Sequence, residues 1–234
     1  MSDTVGAIAA ALHADAEAMR VVSLNVANAQ TPAYRREIPV ARVDYSDAAG
    51  SLKPPTLATV VDSRAGTLQG TAQPLDLAIE GKGFFVVSTA RGEVLTRRGD
   101  FRLDADGRVV TQSGDPVLGT GGAIVVADQR PSVALDGTVR AGDAVVDRLR
   151  IVQVESEATL TPAGNGTYTL PEGVEAIDSP GARVRQGFLE TSNVESVNET
   201  VQMMDVMRRL EMAQRFMRGY DSMMEQAITT LGRP

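Results

Sequence analysis

The sequence predicts an α+β protein: an antiparallel all-β central domain flanked by N- and C-terminal α-helices that pack together as a coiled coil. Three observations lead there. At both ends of the 234-residue chain apolar residues recur every three or four positions, the period of one helix face. Between the ends the apolar period falls to two, the period of a strand. Glycine clusters and Asp-Gly pairs cut that middle region into short runs, as hairpin turns do. The expected segments are 1–36, an N-terminal helix and turn motif; 37–66, an extended connector; 67–190, the β domain; and 191–234, a C-terminal helix.

The first helix is read from Val5, Ile8, Leu12, Ala16, Met19, Val22 and Val26, and runs from about Thr4 to Asn28. Ser2, Asp3 or Thr4 would cap it. Pro32 ends it, because the residue before a proline avoids the helical region. At ~1.5 Å per residue it would be roughly 37 Å long. The connector holds Pro39, Pro54 and Pro55. The β domain then opens with Leu75, Leu77 and Ile79 in alternation. Short runs follow at 84–87, 94–97, 101–103, 109–111, 123–126, 133–135 and 145–154, and the domain closes near Val184 to Leu189. Gly81-Lys82-Gly83, Asp106-Gly107, Gly119 to Gly122 and Asp136-Gly137 supply the turns.

The last helix is read from Val194, Val197, Val201, Met204, Met207, Leu210, Ala213, Met217, Tyr220, Met224, Ile228 and Leu231. Ser192 with Glu195, and Ser196 with Glu199, have capping-box spacing. Asp205 with Arg209, and Glu211 with Arg215, are acid-before-base pairs at i,i+4. Gly232 and Pro234 are stop signals. A helix from Val194 to Leu231 would span roughly 57 Å, longer than a domain of this size is wide. Its stripe therefore needs the other terminal helix, and then neighbouring molecules, to cover it. Methionine is a flexible filler suited to several non-identical neighbours, and the helix is rich in it. With no fixed partner before assembly, the termini are expected to be mobile around a folded core of about Gly66 to Leu189.

Bulk composition narrows the function. A net charge of -7 argues against a nucleic-acid surface, which needs clustered Lys and Arg. The absence of cysteine excludes disulfides, thiol nucleophiles and Cys-ligated metals. Aromatics make up only 4% of residues, with no Trp, so an aromatic-walled cleft has little to build on. No apolar run is long enough for a membrane span, so an integral membrane protein is not expected. The N-terminus, with Asp3 and no early Lys or Arg, does not read as a cleaved signal peptide.

Four stretches resemble one family. The Asn25-Val26-Ala27-Asn28-Ala29-Gln30-Thr31-Pro32-Ala33-Tyr34-Arg35-Arg36 stretch is similar to the Asn-x-Ala-Asn-x-x-Thr-x-Gly-Phe/Tyr-Lys/Arg motif of the flagellar basal-body rod and hook axial proteins. Residues 66–87, 96–119 and 186–197 resemble the opening of that family's β domain, its following segment and its junction to the C-terminal helix. Ala33 departs from the usual Gly, and Val26 from a frequent Asn. The resemblance is strongest to the proximal-rod branch; residues 151–180 lack a segment usual in the distal-rod branch. It implies a structural subunit that self-assembles through its terminal helices into the axial drive shaft. Implied partners are other rod subunits, the flagellar export apparatus and the rod cap. The implied location is the periplasmic rod of the basal body, reached by type III export without a cleaved signal peptide.

The assembly residues expected on this basis are Val5, Ile8, Leu12, Met19, Val22 and Val26 on the first helix. On the second they are Val197, Val201, Met204, Met207, Leu210, Met217, Tyr220, Met224, Ile228 and Leu231. Asn25, Asn28, Thr31, Pro32 and Tyr34 form the motif turn that would redirect the chain from helix to connector. No catalytic residue, cofactor, metal or small-molecule substrate is expected. His13 is the single histidine and lacks the neighbours a general base needs. Asp104-Ala105-Asp106-Gly107 fails the twelve-position calcium pattern at Arg108 and Asp115, and reads as a hairpin turn. Arg35-Arg36 and Arg97-Arg98 read as solvated basic pairs. The rivals are a distal-rod or hook-type subunit, a secreted glycan-binding module or enzyme with a carboxylate pair, and an adaptor using the Met-rich helix as a groove ligand.

Overall fold

A computed structural model describes residues 2–42, 56–126, 131–154, 160–170, 173–174, 176–179 and 181–231. The side chains of Val5, Ile228 and Leu231 lie outside what it describes, as do those of the expected caps Ser2, Asp3 and Thr4. Pro54, Pro55, Gly232 and Pro234 also lie outside it. The chain forms two compact units. One comprises Met1–Ala27, Glu37–Val60 and Glu195–Pro234; the other comprises Asn28–Arg36 and Val61–Val194.

The first unit is built on two helices, α1 (Ser2–Ala27) and α2 (Ser196–Leu231). They pack against each other. Two contacts fix their direction: Asn25 bonds to Glu199, and Arg209 bonds to Asp15 at 2.9 Å. Higher numbers on one helix meet lower numbers on the other, so the pair is antiparallel. The unit also holds most of a two-stranded ribbon, β1 (Glu37–Arg42) with β2 (Thr56–Val61), inside the stretch expected to be only an extended connector. The expected Ser192 capping box is not what begins α2. Ser192 Oγ instead accepts from the Val194 N–H at 3.1 Å, and Glu195 accepts from the Asn198 side-chain amide.

The second unit is the β domain. Its strands in order are β3 (Leu68–Gly70), β4 (Leu77–Glu80), β5 (Phe84–Thr89), β6 (Gly92–Thr96), β7 (Arg102–Leu103), β8 (Val109–Val110), β9 (Leu118–Gly119) and β10 (Gly122–Ala123). Then follow β11 (Ser132–Val133), β12 (Thr138–Ala141), β13 (Ala144–Arg148), β14 (Ile151–Gln153), β15 (Thr161–Gly164), β16 (Thr167–Thr169), β17 (Ile177–Asp178), β18 (Arg183–Gln186) and β19 (Phe188–Glu190). The largest sheet has the order β15-β16-β6-β5-β14-β17. Every registered pairing in the domain is antiparallel. Satellite ribbons are β3-β19, β4-β18, β7-β8, β9-β10 and β11-β12-β13.

Alternation along β5 divides its neighbours between two cores. Phe84 and Val86 join Val61, Leu95, Val152, Val154, Leu160 and Tyr168. Phe85 joins Leu77, Ile79, Phe101, Val109, Val117, Ile124, Val126, Ile151 and Val184. Edge-to-face ring pairs lie within each: Phe84–Tyr168 at 6.0 Å and Phe85–Phe101 at 5.2 Å. Gly99 allows the closest backbone approach. A Cβ there would sit 1.6 Å from the Leu77 carbonyl oxygen, and the Gly99 carbonyl accepts from the Leu77 N–H at 2.9 Å. The run 145–154, read as one strand, is two: up to Arg148 it pairs with β12, and from Ile151 it pairs with β5. The Asp104–Gly107 loop is a hairpin turn between β7 and β8, as expected. Asp104 accepts from the Asp106 and Arg108 N–H groups and from the Arg108 guanidinium.

Candidate functional site

Two constellations stand out: the seam between α1 and α2, and the junction at which both chain ends leave the β domain. On α2 the shielded positions are Glu199, Met203, Val206, Leu210, Ala213, Met217 and Tyr220. Their spacing alternates strictly between four and three, which holds one face toward a partner helix. On α1, Ile8, Leu12, Asp15, Met19, Val22 and Val26 are shielded with the same alternation. Asp15, not Ala16, takes the third place, where it meets Arg209. Arg209, expected to pair with Asp205, thus reaches across the seam. Glu211 and Arg215 do pair, at 3.8 Å, in full solvent.

The single stripe read along α2 splits in two. Leu210, Met217 and Tyr220 lie in the shielded seam, and Met224 sits at its exposed edge, 37% accessible. Val197, Val201, Met204 and Met207 are 77%, 53%, 50% and 43% exposed. The reason is helical geometry. Each step of three residues falls about 60° short of a full turn, so the consecutive threes from Met204 through Met207 and Leu210 to Ala213 walk half-way round the helix. Met212, Phe216 and Met223, at 60%, 55% and 62% exposure, continue the outer face begun by Val197 and Val201. Apart from Leu24, 37% exposed, the outward positions on α1 are small or polar, among them Gly6, Ala9, His13, Ala16, Arg20, Ser23 and Ala27.

Asn25 is the polar member of the α1 seam. It is 1% exposed, as is Glu199. Its amide donates to Glu199 Oε2 at 3.1 Å and to the Glu37 carbonyl at 2.8 Å, while its Oδ1 accepts from the Glu37 N–H at 2.9 Å. Burial pushes the Glu37 carboxyl above its ordinary pKa; Arg20 pulls it back and Glu17 adds to the rise.

The rest of the motif turn belongs to the β unit. Thr31 donates from its backbone N–H to the Asn28 carbonyl at 3.0 Å and from Oγ1 to Asn28 Oδ1 at 3.1 Å. Pro32 is half-buried, and the Tyr34 N–H closes on the Thr31 carbonyl at 3.2 Å. Ala33 has φ 54, in the left-handed region, and its N–H donates to the Glu190 carbonyl at 2.8 Å. That geometry explains why the motif otherwise has Gly there.

The two arginines read as solvated basic residues are buried, each 3% exposed, on either side of one carboxylate. Glu190 Oε1 meets Arg35 at 3.1 Å and accepts from the Gly66 N–H at 3.0 Å; Oε2 accepts from Arg97 Nε at 2.9 Å. Arg97 also donates to the Gly83 carbonyl, and Arg35 to the carbonyls of Ser63 and Arg64. Among the described residues Arg35 Nε has no partner. Beside this cluster, Asn193 accepts from the Arg36 N–H at 2.6 Å. Its amide donates to the Asp62 and Arg64 carbonyls, and its N–H to the Tyr34 carbonyl. A buried charge needs such partners, because desolvating it otherwise costs several kcal/mol. The junction was missed in the sequence because its members lie far apart in the chain: Arg36 and Asn193 are 157 positions apart.

A half-open groove of about 360 Å³ also lies on the β unit, lined by Thr89, Glu93, Thr96, Arg98, Asp100 and Asn165 among others. Two of its carboxylates are engaged by arginines, Asp100 by Arg98 at 2.7 Å and Glu93 by Arg150 at 2.9 Å, and a third, Asp115, accepts from the Thr111 hydroxyl at 3.5 Å. Among the described residues no group of three or more His, Asp or Glu is placed to hold a metal ion. No described helix is long and apolar enough to cross a membrane.

Comparison with known proteins assigns these features. Residues 78–141 match the flagellar hook protein FlgE/F/G D1 domain, and residues 185–230 the C-terminal domain of flagellar basal body rod FlgEFG proteins. The chain is 32% identical to the flagellar basal-body rod protein FlgF of Salmonella typhimurium over 220 residues, covering 86% of this chain and 87% of the relative. It is 30% identical to FlgF of Caulobacter vibrioides over 223 residues, 91% of each. It is also 29% identical to the rod protein FlgG of Bacillus subtilis, over 89% of this chain and 91% of that one. With FlgF relatives at 30–32% identity over 86–91% of its length, the chain belongs to the FlgF family of flagellar basal-body rod proteins and is a structural subunit of the flagellum, not an enzyme.

Proposed function

We propose that this rod subunit assembles through its terminal helices. In this reading α1 and α2 of one chain pair as an antiparallel coiled coil, and the outer face of α2 packs on helices of neighbouring axial subunits. The observation that carries it is the exposed row Val197, Val201, Met204, Met212, Phe216 and Met223, which the chain's own α1 leaves uncovered. An apolar row of that length on a soluble surface marks an interaction site. The small outward residues of α1 complement it, since they let a bulky helix face approach closely. The wider reading places the subunit in the proximal, periplasmic part of the rod, exported without a cleaved signal peptide and added beneath a rod cap.

The test replaces Phe216 by Asp in a strain lacking the native protein. Purified Phe216→Asp should keep the wild-type helical signal and melting curve, because the position is exposed. Isolated basal bodies should lack it, and swimming should fail. Gln202→Asp, exposed on the flank of the row, should assemble. Normal incorporation of Phe216→Asp would remove α2's outer face from the assembly surface. The Bacillus FlgG likeness favours a distal-rod position as the second reading. Complementation of flgF-null and flgG-null strains separates the two.

A further inference from the structure

We propose that Asn25 and Glu199 are the register-determining pair of the α1–α2 seam. The inference rests on the intramolecular packing of the two helices and stands whether or not α2's outer face mediates assembly. Two contacts read the register independently. Asn25 meets Glu199, and Asp15 meets Arg209; in both, the residue numbers add to 224. The contacts therefore lie ten residues apart on each helix and agree on one alignment.

The apolar part of the seam does not discriminate between alignments. Met203, Val206, Leu210, Ala213 and Met217 are shielded on α2, and Ile8, Leu12, Ala18, Met19 and Val22 on α1; none of these side chains makes a directional bond that would need a particular opposite. Methionine adapts to irregular gaps. A slip of one heptad keeps an apolar residue opposite an apolar residue along most of the seam. The Asp15–Arg209 pair reports the alignment without setting it, because Arg209 is half exposed and such pairs contribute little.

The buried pair is different. Moving α2 by one heptad would set Val206 against Asn25 and carry Glu199 past the end of α1. The Asn25 amide would lose one acceptor in a buried place, and the Glu199 carboxylate would lose that donor. One buried asparagine at a seam position can fix the register of a helix pair in this way. Asn25 is itself held from behind. Its Oδ1 takes the Glu37 N–H and its amide gives to the Glu37 carbonyl, so the side chain cannot turn to follow a shifted partner. The competing source of register is the short link from the junction to each helix.

Because the chain has no cysteine, introduced thiols can read the alignment. Asp15→Cys is combined in turn with Gln202→Cys, Arg209→Cys and Phe216→Cys, and the full-length protein is treated with a short bismaleimide. The keyed seam should cross-link 15 to 209 about tenfold more than 15 to 202 or 216, a ratio in the range a coupled polar pair supplies. With Asn25→Leu and Glu199→Leu together, that preference should fall to about threefold or less while the far-UV helical signal stays. Asn25→Asp, which sets like charges together, should lose the preference too. Glu199→Gln alone, whose amide oxygen can still accept from the Asn25 amide, should keep it. An unchanged preference in the leucine double variant would overturn the proposal and assign register to the junction link. Loss of the helical signal in both Asn25 variants would also overturn it, since the pair would then govern folding, not alignment.

Discussion

Ala33 and Glu190 show how much one position can carry. Ala33 occupies the left-handed region at φ 54 while only 1% exposed. A Cβ there costs about 1–2 kcal/mol against glycine. Ala33→Gly should therefore raise the denaturant midpoint of the β unit, with a gain approaching 1 kcal/mol once glycine's unfolded-state entropy is deducted; urea titration followed by circular dichroism checks it. Glu190→Gln leaves two buried guanidinium groups without their anion and should cost about 3–5 kcal/mol in the same assay. The departure at Ala33 was visible in the motif, but its backbone reason was not. Arg35 and Arg97 were misread because local basicity says nothing of a carboxylate brought in from residue 190. Turn aspartates give a pH response with a definite sign. The Thr138 N–H, then its hydroxyl, hold the Asp136 carboxyl below its ordinary pKa, and the Arg108 N–H leads the same effect at Asp104. A lowered folded value means stability is present above the unfolded pKa and is lost as pH falls through the folded one. The β unit's melting temperature should thus decline below about pH 4, and Asp136→Asn should flatten that decline.

The helices and strands differ in how openly the sequence declares them. α1 and α2 were legible to within about two residues because their periodicity is long. The side of α2 that meets α1 was legible only from Leu210 onward, since apolar residues occupy two faces and a chain of threes leads from one to the other. Leu210→Asp tests the inner face. It places an unpaired charge in the seam and should abolish rod incorporation, whereas the isolated protein keeps an intact β unit by near-UV and NMR signatures. An unfolded β unit in that variant would put α2 inside the β domain's core. The central strands β4, β5 and β6 were found from alternation and turns. β15, β16 and β17 were not, because Thr161–Gly164 and Thr167–Thr169 carry few apolar residues and depend on pairing, β15 with β16 and β16 with β6. Gly99 was passed over for the same reason: its need appears only when the Leu77 carbonyl is laid against it. Gly99→Ala should destabilise the β unit severely, by overpacking backbone on backbone.

The two units hold themselves together by different means. Phe84 and Phe85 anchor two cores in the β unit, whereas among the described residues of α2 only Glu199 and Val206 are fully buried. Few buried contacts mean low local stability. Limited trypsin digestion of the purified protein should remove the helices first and leave a resistant fragment spanning about 61–194, identified by mass spectrometry. Uniform resistance of the full chain would contradict this division. The junction adds a matter of timing. Ala33 cannot place its N–H, nor Arg35 its charge, until Glu190 is present, and Arg36 waits for Asn193 across 157 positions. Contacts so distant in sequence close late, after the loop entropy between them has been overcome. A chain that entered its folding space N-terminus first would carry an unfinished turn behind α1 until about two-thirds of its length had followed. The clasp at Glu190 thus acts as a clock: the root of α1 is set only when the chain that will form α2 is at hand.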